Sequence, residues 1–302
     1  MTTPLVLKIG GELLETEAQR ASVAATVAAL ASEQPLVLVH GGGRAIDAAL
    51  AQYAIAPRKI DGLRVTDEPT RDVVVSVLAG SANTALVASL VGLGVPAVGL
   101  TGVDAGFAPA ARASEYRAST GAVVDLGFVG DPVDADPALL ELLTARGYVP
   151  VVASLGVEDG VVLNVNADVM AGRIAAALRS PELVIAGGTA GVLDADGQPI
   201  ANLDAEGIDR MIASGTATAG MIAKLEACRA ALLQGVPRVR IVDGRALFEG
   251  RSVPGTTVVL SEAVPALVSS ACGPREDSES SSAGARASGG GVPASIDRRD
   301  GR

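Results

Sequence analysis

Short apolar runs alternate along this chain with longer stretches in which apolar positions recur every three or four residues. Leu5-Val6-Leu7-Lys8-Ile9 and Leu36-Val37-Leu38-Val39 are nearly continuous apolar runs, the mark of strands buried on both faces. Each stops at glycines, Gly10-Gly11 after the first and Gly41-Gly42-Gly43 after the second. Helical spacing predicts helices over 16–32, 45–51, 68–79, 83–93, 137–146, 167–178, 205–214 and 219–233. Further strands are predicted at 95–100, 148–153, 161–164, 183–186, 239–242 and 256–260. Residues 59–67 read as a hairpin turning at Asp61-Gly62, and 117–133, with Gly121, Gly127 and Gly130, as a peripheral hairpin. This repetition of strand and helix, up to about residue 272, predicts an α/β fold whose mainly parallel sheet carries helices on both faces. Ligands in such sheets sit beyond the carboxyl ends of the strands. Lys8, His40, Thr101, Asn164 and Gly187 all stand at predicted strand ends, so they can share one crevice.

From Gly273 the apolar period vanishes, and the tail 273–302, rich in Ser and Gly, is expected to be disordered. Its five acidic and five basic residues cancel, so the net charge of -10 belongs to the body of the chain. At 302 residues and 49% hydrophobic content a full core is within reach, but aromatics are only 2%, so Ala, Val and Leu must fill it. The negative charge argues against a nucleic-acid partner. It also means that an anionic ligand must be met by a few placed cations. Two cysteines, Cys228 and Cys272, make no disulfide framework, which fits a reducing cytoplasm. Lys8 interrupts the first apolar run, so no secretory leader is read there, and no uninterrupted apolar run approaches membrane-spanning length.

Between a strand and a helix, Gly41-Gly42-Gly43 leaves backbone N–H groups bare at a positive helix end, where phosphate commonly binds. Taken alone, such a turn serves equally as a tight connection. Neither common nucleotide signature is present: no G-x-x-x-x-G-K-[ST] occurs, and G-x-G-x-x-G fails because Ile46 takes its last position. Lys8 adds a second signal, since a lysine in an apolar strand is uncommon unless paired or used.

Five segments in order carry a resemblance: Lys8-Ile9-Gly10-Gly11, His40-Gly41-Gly42-Gly43, Gly62-Leu63-Arg64-Val65-Thr66, Asn164-Val165-Asn166-Ala167-Asp168 and Gly220-Met221-Ile222-Ala223-Lys224. Over about residues 4–260 the chain resembles the acetylglutamate kinases of the amino-acid kinase family. The resemblance implies a three-layer αβα sandwich of the carbamate-kinase-like kind. Residues 1–180 would hold the amino-acid substrate and the dimer contact, and 181–272 would hold ATP. The implied reaction is ATP-dependent phosphorylation of the side-chain carboxylate of N-acetyl-L-glutamate, in arginine biosynthesis, by a cytoplasmic homodimer without a membrane partner. Mg2+ would be held mainly by the ATP phosphates, with no metal site of the protein's own.

The resemblance also implies roles. Lys8 and Lys224 would meet the transferred phosphoryl group from the substrate and nucleotide sides, held in place by Asp168. Amides of Gly11 and Gly42 would donate to that group. Gly42, Gly43, Arg64, Asn164 and Asn166 would bind the substrate, Arg64 as a fork on its α-carboxylate. Gly10, Gly188, Gly191, Gly220, Met221 and Lys224 would line the nucleotide. Without the resemblance, Lys224 reads as a solvated helix lysine, Asp168 as a first-turn or capping residue and Arg64 as a surface arginine. His40 reads as a structural histidine. The chemistry is consistent: a carboxylate of pKa about 4.3 is already ionised and needs no general base. What the step requires is fixed positive charge and amides around the phosphoryl oxygens.

Related kinases carry a polar residue and an aspartate where this chain has Gly187 and Gly188, commonly Gly or Asp at Ala219, and frequently lysine at Val103. A kinase for a related carboxylate, such as a carrier-bound aminoadipate or another N-acylglutamate, and a non-catalytic nucleotide-sensing module on the same fold are the competing readings. Arginine-inhibited hexamers of the family carry a helix ahead of the first strand. Only three residues precede Pro4 here, so the expectation is a homodimer insensitive to arginine.

Overall fold

A computed structural model describes residues 3–118, 120–250, 253 and 255–260; Cys272 and the tail 273–302 lie outside the described residues. The first half of the chain runs β1 (Leu5–Ile9), α1 (Glu17–Glu33), β2 (Leu36–His40), α2 (Gly43–Gln52), the hairpin β3 (Lys59–Ile60) and β4 (Leu63–Arg64), α3 (Glu68–Val75), α4 (Asn83–Gly92) and β5 (Ala97–Thr101). The middle supplies β6 (Ala110–Arg112), β7 (Tyr116–Arg117), β8 (Val123–Val124), β9 (Val129–Pro132), α5 (Ala138–Ala145), β10 (Val149–Ala153), β11 (Leu155–Glu158), β12 (Val161–Val165) and α6 (Ala167–Ala177). The last part holds β13 (Leu183–Gly187), β14 (Asn202–Leu203), α7 (Ala205–Ser214), α8 (Ala219–Leu233), β15 (Val239–Asp243), α9 (Gly244–Phe248) and β16 (Gly255–Val258).

Eight strands form the central sheet in the order β14-β16-β15-β13-β1-β2-β10-β5. It is parallel throughout except where β16 turns back against β15. Alternation along the strands sorts the core into two layers. Leu5, Leu7, Ile9, Leu36 and Leu38 pack with α1 and α4 on one face. Val6, Val37, Val39, Leu183 and Ile185 pack with α6, α7 and α8 on the other. The expected three-layer αβα sandwich is therefore observed. Its halves follow chain order: β13 to β16 lie on one side of β1, and β2, β10 and β5 on the other.

Three expectations are corrected. Residues 68–79 and 83–93 are not separate helices. Ser76–Ala82 is a π-type turn that makes one continuous helical run to Gly92, because Ala79-Gly80-Ser81-Ala82 contains no proline and only small side chains. By length and composition alone that run could cross a membrane, yet Val73, Val74, Val77, Leu78, Leu86 and Leu90 are buried in the core. Residues 117–133 are not one hairpin. Only β7 and β8 pair, and β9 departs to another sheet after Gly127, whose φ of +78° bends the chain against the Thr66 carbonyl. Finally, the strand predicted at 161–164 is not in the central sheet. It is β12, in a four-stranded sheet ordered β11-β12-β9-β6, formed because the chain leaves the main sheet after β10 and pairs back on itself.

Candidate active site

Lys8 shares its strand face with Val6, so the alternation of β1 points it at the layer holding α6 and α8. There it meets Asp168. Lys8 Nζ lies 2.8 Å from Asp168 Oδ1, and Lys224 Nζ donates to Asp168 Oδ2 at 2.8 Å. Lys8 and Asp168 are each 8% exposed. Asn166 fixes the carboxylate's position: its Oδ1 accepts the amides of Asp168 and Val169 at 2.8 and 3.2 Å and caps α6, leaving Asp168 in the first turn. Burial would raise the Asp168 pKa, but the charges of Lys224 and Lys8 win and hold it well below the carboxylate range. Lys224 is raised, because attraction to Asp168 exceeds the cost of its burial. Lys8 is lowered, since burial, aided by the Lys224 charge, exceeds the pull of the same aspartate.

The two glycine turns meet above this cluster. A Cβ on Gly11 would lie 2.9 Å from the Gly43 nitrogen and 3.1 Å from the Gly42 Cα, so the turns touch backbone to backbone. Gly43 and Gly220 face open space. Helices α1, α3, α6, α7 and α9 are capped by the side chains of Thr16, Asp67, Asn166, Asp204 and Asp243. In contrast α2 and α8, which begin at Gly43 and next to Gly220, have no side-chain cap. Their first amides are open to an anion.

Arg64, at the end of β4, is 8% exposed. One of its terminal nitrogens, Nη2, pairs with Asp47 of α2 and donates to the Gly43 carbonyl at 3.2 Å. Its Nη1 is buried with no hydrogen-bond partner. Asp47 also accepts from Lys59 at 3.0 Å. Burial would raise the Asp47 pKa, but Lys59 and Arg64 lower it. Thr66 links the two sheets: its hydroxyl donates to the Arg64 carbonyl at 2.9 Å and accepts the Asn164 amide at 3.2 Å. Asn164, on β12, is thus linked to Arg64 through Thr66. Nothing local in the sequence marks Asp47 or gives a role to Thr66, although Thr66 closes the 62–66 segment, because both act through partners distant in the chain.

The remaining expected residues divide. Gly10 spends its amide on the Ala186 carbonyl at 2.9 Å. Gly188 gives its amide to the Glu12 carboxylate. Gly191, at φ +112°, is pressed against Thr256 and Gly255 of β16. The hairpin tip reaches α8, where a Cβ on Gly62 would lie 3.8 Å from Gly220. Met221 packs on the core beneath that helix. His40 is fully buried: Nδ1 donates to the Gly41 carbonyl at 3.2 Å, and Nε2 accepts from Asn83 at 3.0 Å. Burial, partly offset by Gly41, lowers its pKa to about 4, so it is a neutral structural residue. A cavity of about 590 Å3 runs along α6 and α8 past Leu63, Gly172, Ile222 and Glu226. It shares Asn166 with the site but is lined by neither lysine.

Residues 3–243 match the model of the amino acid kinase family. A protein of Sphingopyxis alaskensis named acetylglutamate kinase is 44% identical over 246 residues, 80% of this chain and 82% of that one. One of Methanopyrus kandleri with the same name is 42% identical over 250 residues, 82% and 97% of the two chains. Among solved structures, that of smu.665 from Streptococcus mutans superimposes with a TM-score of 0.72 at 27% identity, covering 86% of this chain and all of that one.

Proposed function

The chain belongs to the amino acid kinase family, and within it to the acetylglutamate kinases, and from that premise we propose how its crevice divides the work. The reaction is ATP-dependent phosphorylation of N-acetyl-L-glutamate, a step of arginine biosynthesis. The side-chain carboxylate attacks the γ-phosphorus. A carboxyl O–P bond forms, the bond to the β–γ bridging oxygen breaks with its electron pair leaving on ADP, and the product is an acyl phosphate. No proton moves, so no general base is needed.

The observation that carries this reading is one ionised carboxylate, Asp168, gripped by the buried Lys8 and the half-buried Lys224 beneath two glycine turns. Asp168 keeps both ammonium groups in place and takes no proton. Lys8 neutralises charge on the phosphoryl oxygens from the acceptor side and Lys224 from the nucleotide side, with amides of Gly11 and Gly42 completing the ring of donors. Arg64 offers its free Nη1 to the substrate α-carboxylate, while Asp47 holds the other end of the guanidinium. Asn164, Asn166 and Gly43 line the same pocket. Gly10, Gly188, Gly191, Gly220 and Met221 belong to the nucleotide side. Residues 1–180 serve the amino acid and 181–272 the ATP, in keeping with the two halves of the sheet.

Mg2+, when bound with the nucleotide, would neutralise charge on the phosphate chain. Among the described residues no group of three or more His, Cys, Asp or Glu could hold a metal ion, and both Asp168 oxygens face lysines. That donor set fits a metal carried mainly on the phosphates. The enzyme acts as a cytoplasmic homodimer. The buried free thiol of Cys228 supports a reducing compartment, and the exposed Val91 and Leu93 at the end of the long helical run support a dimer contact in the N-terminal part.

Parallel ADP-release assays with N-acetylglutamate, glutamate, aspartate, uridylate and carbamate test the reading. ADP is expected with N-acetylglutamate. Release with another acceptor only would reassign the substrate, and none with any acceptor would favour the sensing module.

A further inference from the structure

β1 ends at Ile9, and the chain passes at once into a short 3-10 turn, Gly11–Leu13, which brings Glu12 back over the end of the sheet. Its Oε1 accepts the Gly188 amide at 3.0 Å. A Cβ on Gly10 would lie only 2.5 to 2.6 Å from the carboxylate, and a Cβ on Gly187 or Gly188 would lie 3.6 Å from the same side chain. Three glycines from two neighbouring strands therefore leave a slot that this carboxylate occupies. Both Lys8 and Lys224 feel its charge, so it stands at the edge of the ion cluster. The carboxyl ends of parallel strands are where ligands sit, and a bare peptide N–H is a phosphate donor. Here the chain fills such a position with an anion of its own.

We propose that Glu12 is a specificity-determining residue of the nucleotide side, whose carboxylate makes the crevice reject metal-free nucleotide and accept the metal-complexed form. A bare nucleotide brings its full phosphate charge against Glu12, and like charges within about 4–6 Å disfavour one another. A nucleotide carrying a divalent cation brings a positive ion, which the carboxylate attracts. Asp168 cannot play this part, because each of its oxygens faces a lysine. Mg2+ is commonly bound through one or two carboxylates together with phosphates, and Glu12 is a carboxylate at this end of the sheet. The inference rests on the kinase reading given above.

Glu12→Gln keeps a side-chain oxygen that can accept the Gly188 amide and removes only the charge. Titration calorimetry with ADP, in excess Mg2+ and in EDTA, reads the effect directly. In the unaltered protein, ADP should bind at least about tenfold more weakly in EDTA, the size of one like-charge contact. In Glu12→Gln the gap should shrink to about threefold or less, through tighter binding of metal-free ADP, and Glu12→Ser should narrow it in the same direction. An unaltered gap in both variants, with normal ADP binding by the parent protein, overturns the role of Glu12 alone. Absence of ADP binding by the parent protein in both conditions overturns the kinase reading, and this inference with it.

Discussion

Asp47, Arg64, Thr66 and Asn164 hold one another on the side of the crevice proposed for the amino acid, whereas the side proposed for the nucleotide is floored by Gly10, Gly187 and Gly188 and opens past Gly220. The first region is a chain of side-chain contacts drawn from α2, β4 and β12. The second is mostly backbone, with a single acid laid across it. A small substrate has few atoms by which to be known, so each must meet a placed, oriented group. A nucleotide presents a phosphate chain, which bare amides, an uncapped helix start and fixed cations can hold without side-chain detail. In the proposed division the Lys8–Asp168–Lys224 cluster is the part that the two designs share.

The largest effect should come from the group that both sides share. Lys8→Ala is expected to lower kcat by about 10²–10³-fold, the usual loss for one transition-state donor, with much smaller changes in either KM. Lys8→Arg should not restore the rate, because the guanidinium is broader and planar. Steady-state kinetics giving near-normal kcat for Lys8→Ala would remove this residue from the chemistry.

Next comes the substitution that separates the two sides. Arg64→Ala should raise KM for N-acetylglutamate by roughly 10–100-fold, as expected for a lost hydrogen bond to a charged group worth about 1.5–3 kcal/mol, and leave KM for ATP near normal. A rise confined to ATP would reverse the assignment of the two regions.

The pH dependence distinguishes the two lysines. Lys8 lies below the ordinary lysine value of 10.5, so kcat/KM should fall as pH rises through its lowered pKa. A pKa lowered on folding makes stability increase with pH in that window, so losing this proton does not unfold the protein. Lys224 is raised, and its contribution is full below 10.5, the unfolded value, and lost only as pH rises through the raised one. Activity should therefore disappear at a lower pH than thermal stability, in rate profiles and melts run over the same buffers. Coincident loss of both would contradict the assigned directions.

The smallest expected effect tests whether the side-chain network acts as a unit. Thr66→Val removes the hydroxyl between Arg64 and Asn164 at the cost of about 1 kcal/mol, giving a few-fold rise in KM for N-acetylglutamate and none for ATP. Equal changes in both would mean that Thr66 serves only the fold.

Much of this was legible along the chain because it is periodic or local. Continuous apolar runs mark β1, β2 and β13 as doubly buried strands, since both faces of a parallel sheet are covered by helices. The glycine turns are legible for the same reason, as only a residue without a Cβ lets Gly11 lie against Gly42 and Gly43. Alternation even determined which layer Lys8 faces. Other features depend on residues far apart in sequence. The π-type turn joining α3 to α4 and the departure of β9 and β12 into a second sheet were decided by packing, where local spacing permitted other outcomes. Asp47 beside Arg64, Thr66 beside Asn164 and Glu12 beside Gly188 likewise exist only once the sheets are assembled. Side-chain periodicity specifies the face a residue takes; which partner waits on that face is set by tertiary packing, because hydrogen bonds and ion pairs act over a few ångströms in space whatever the distance along the chain.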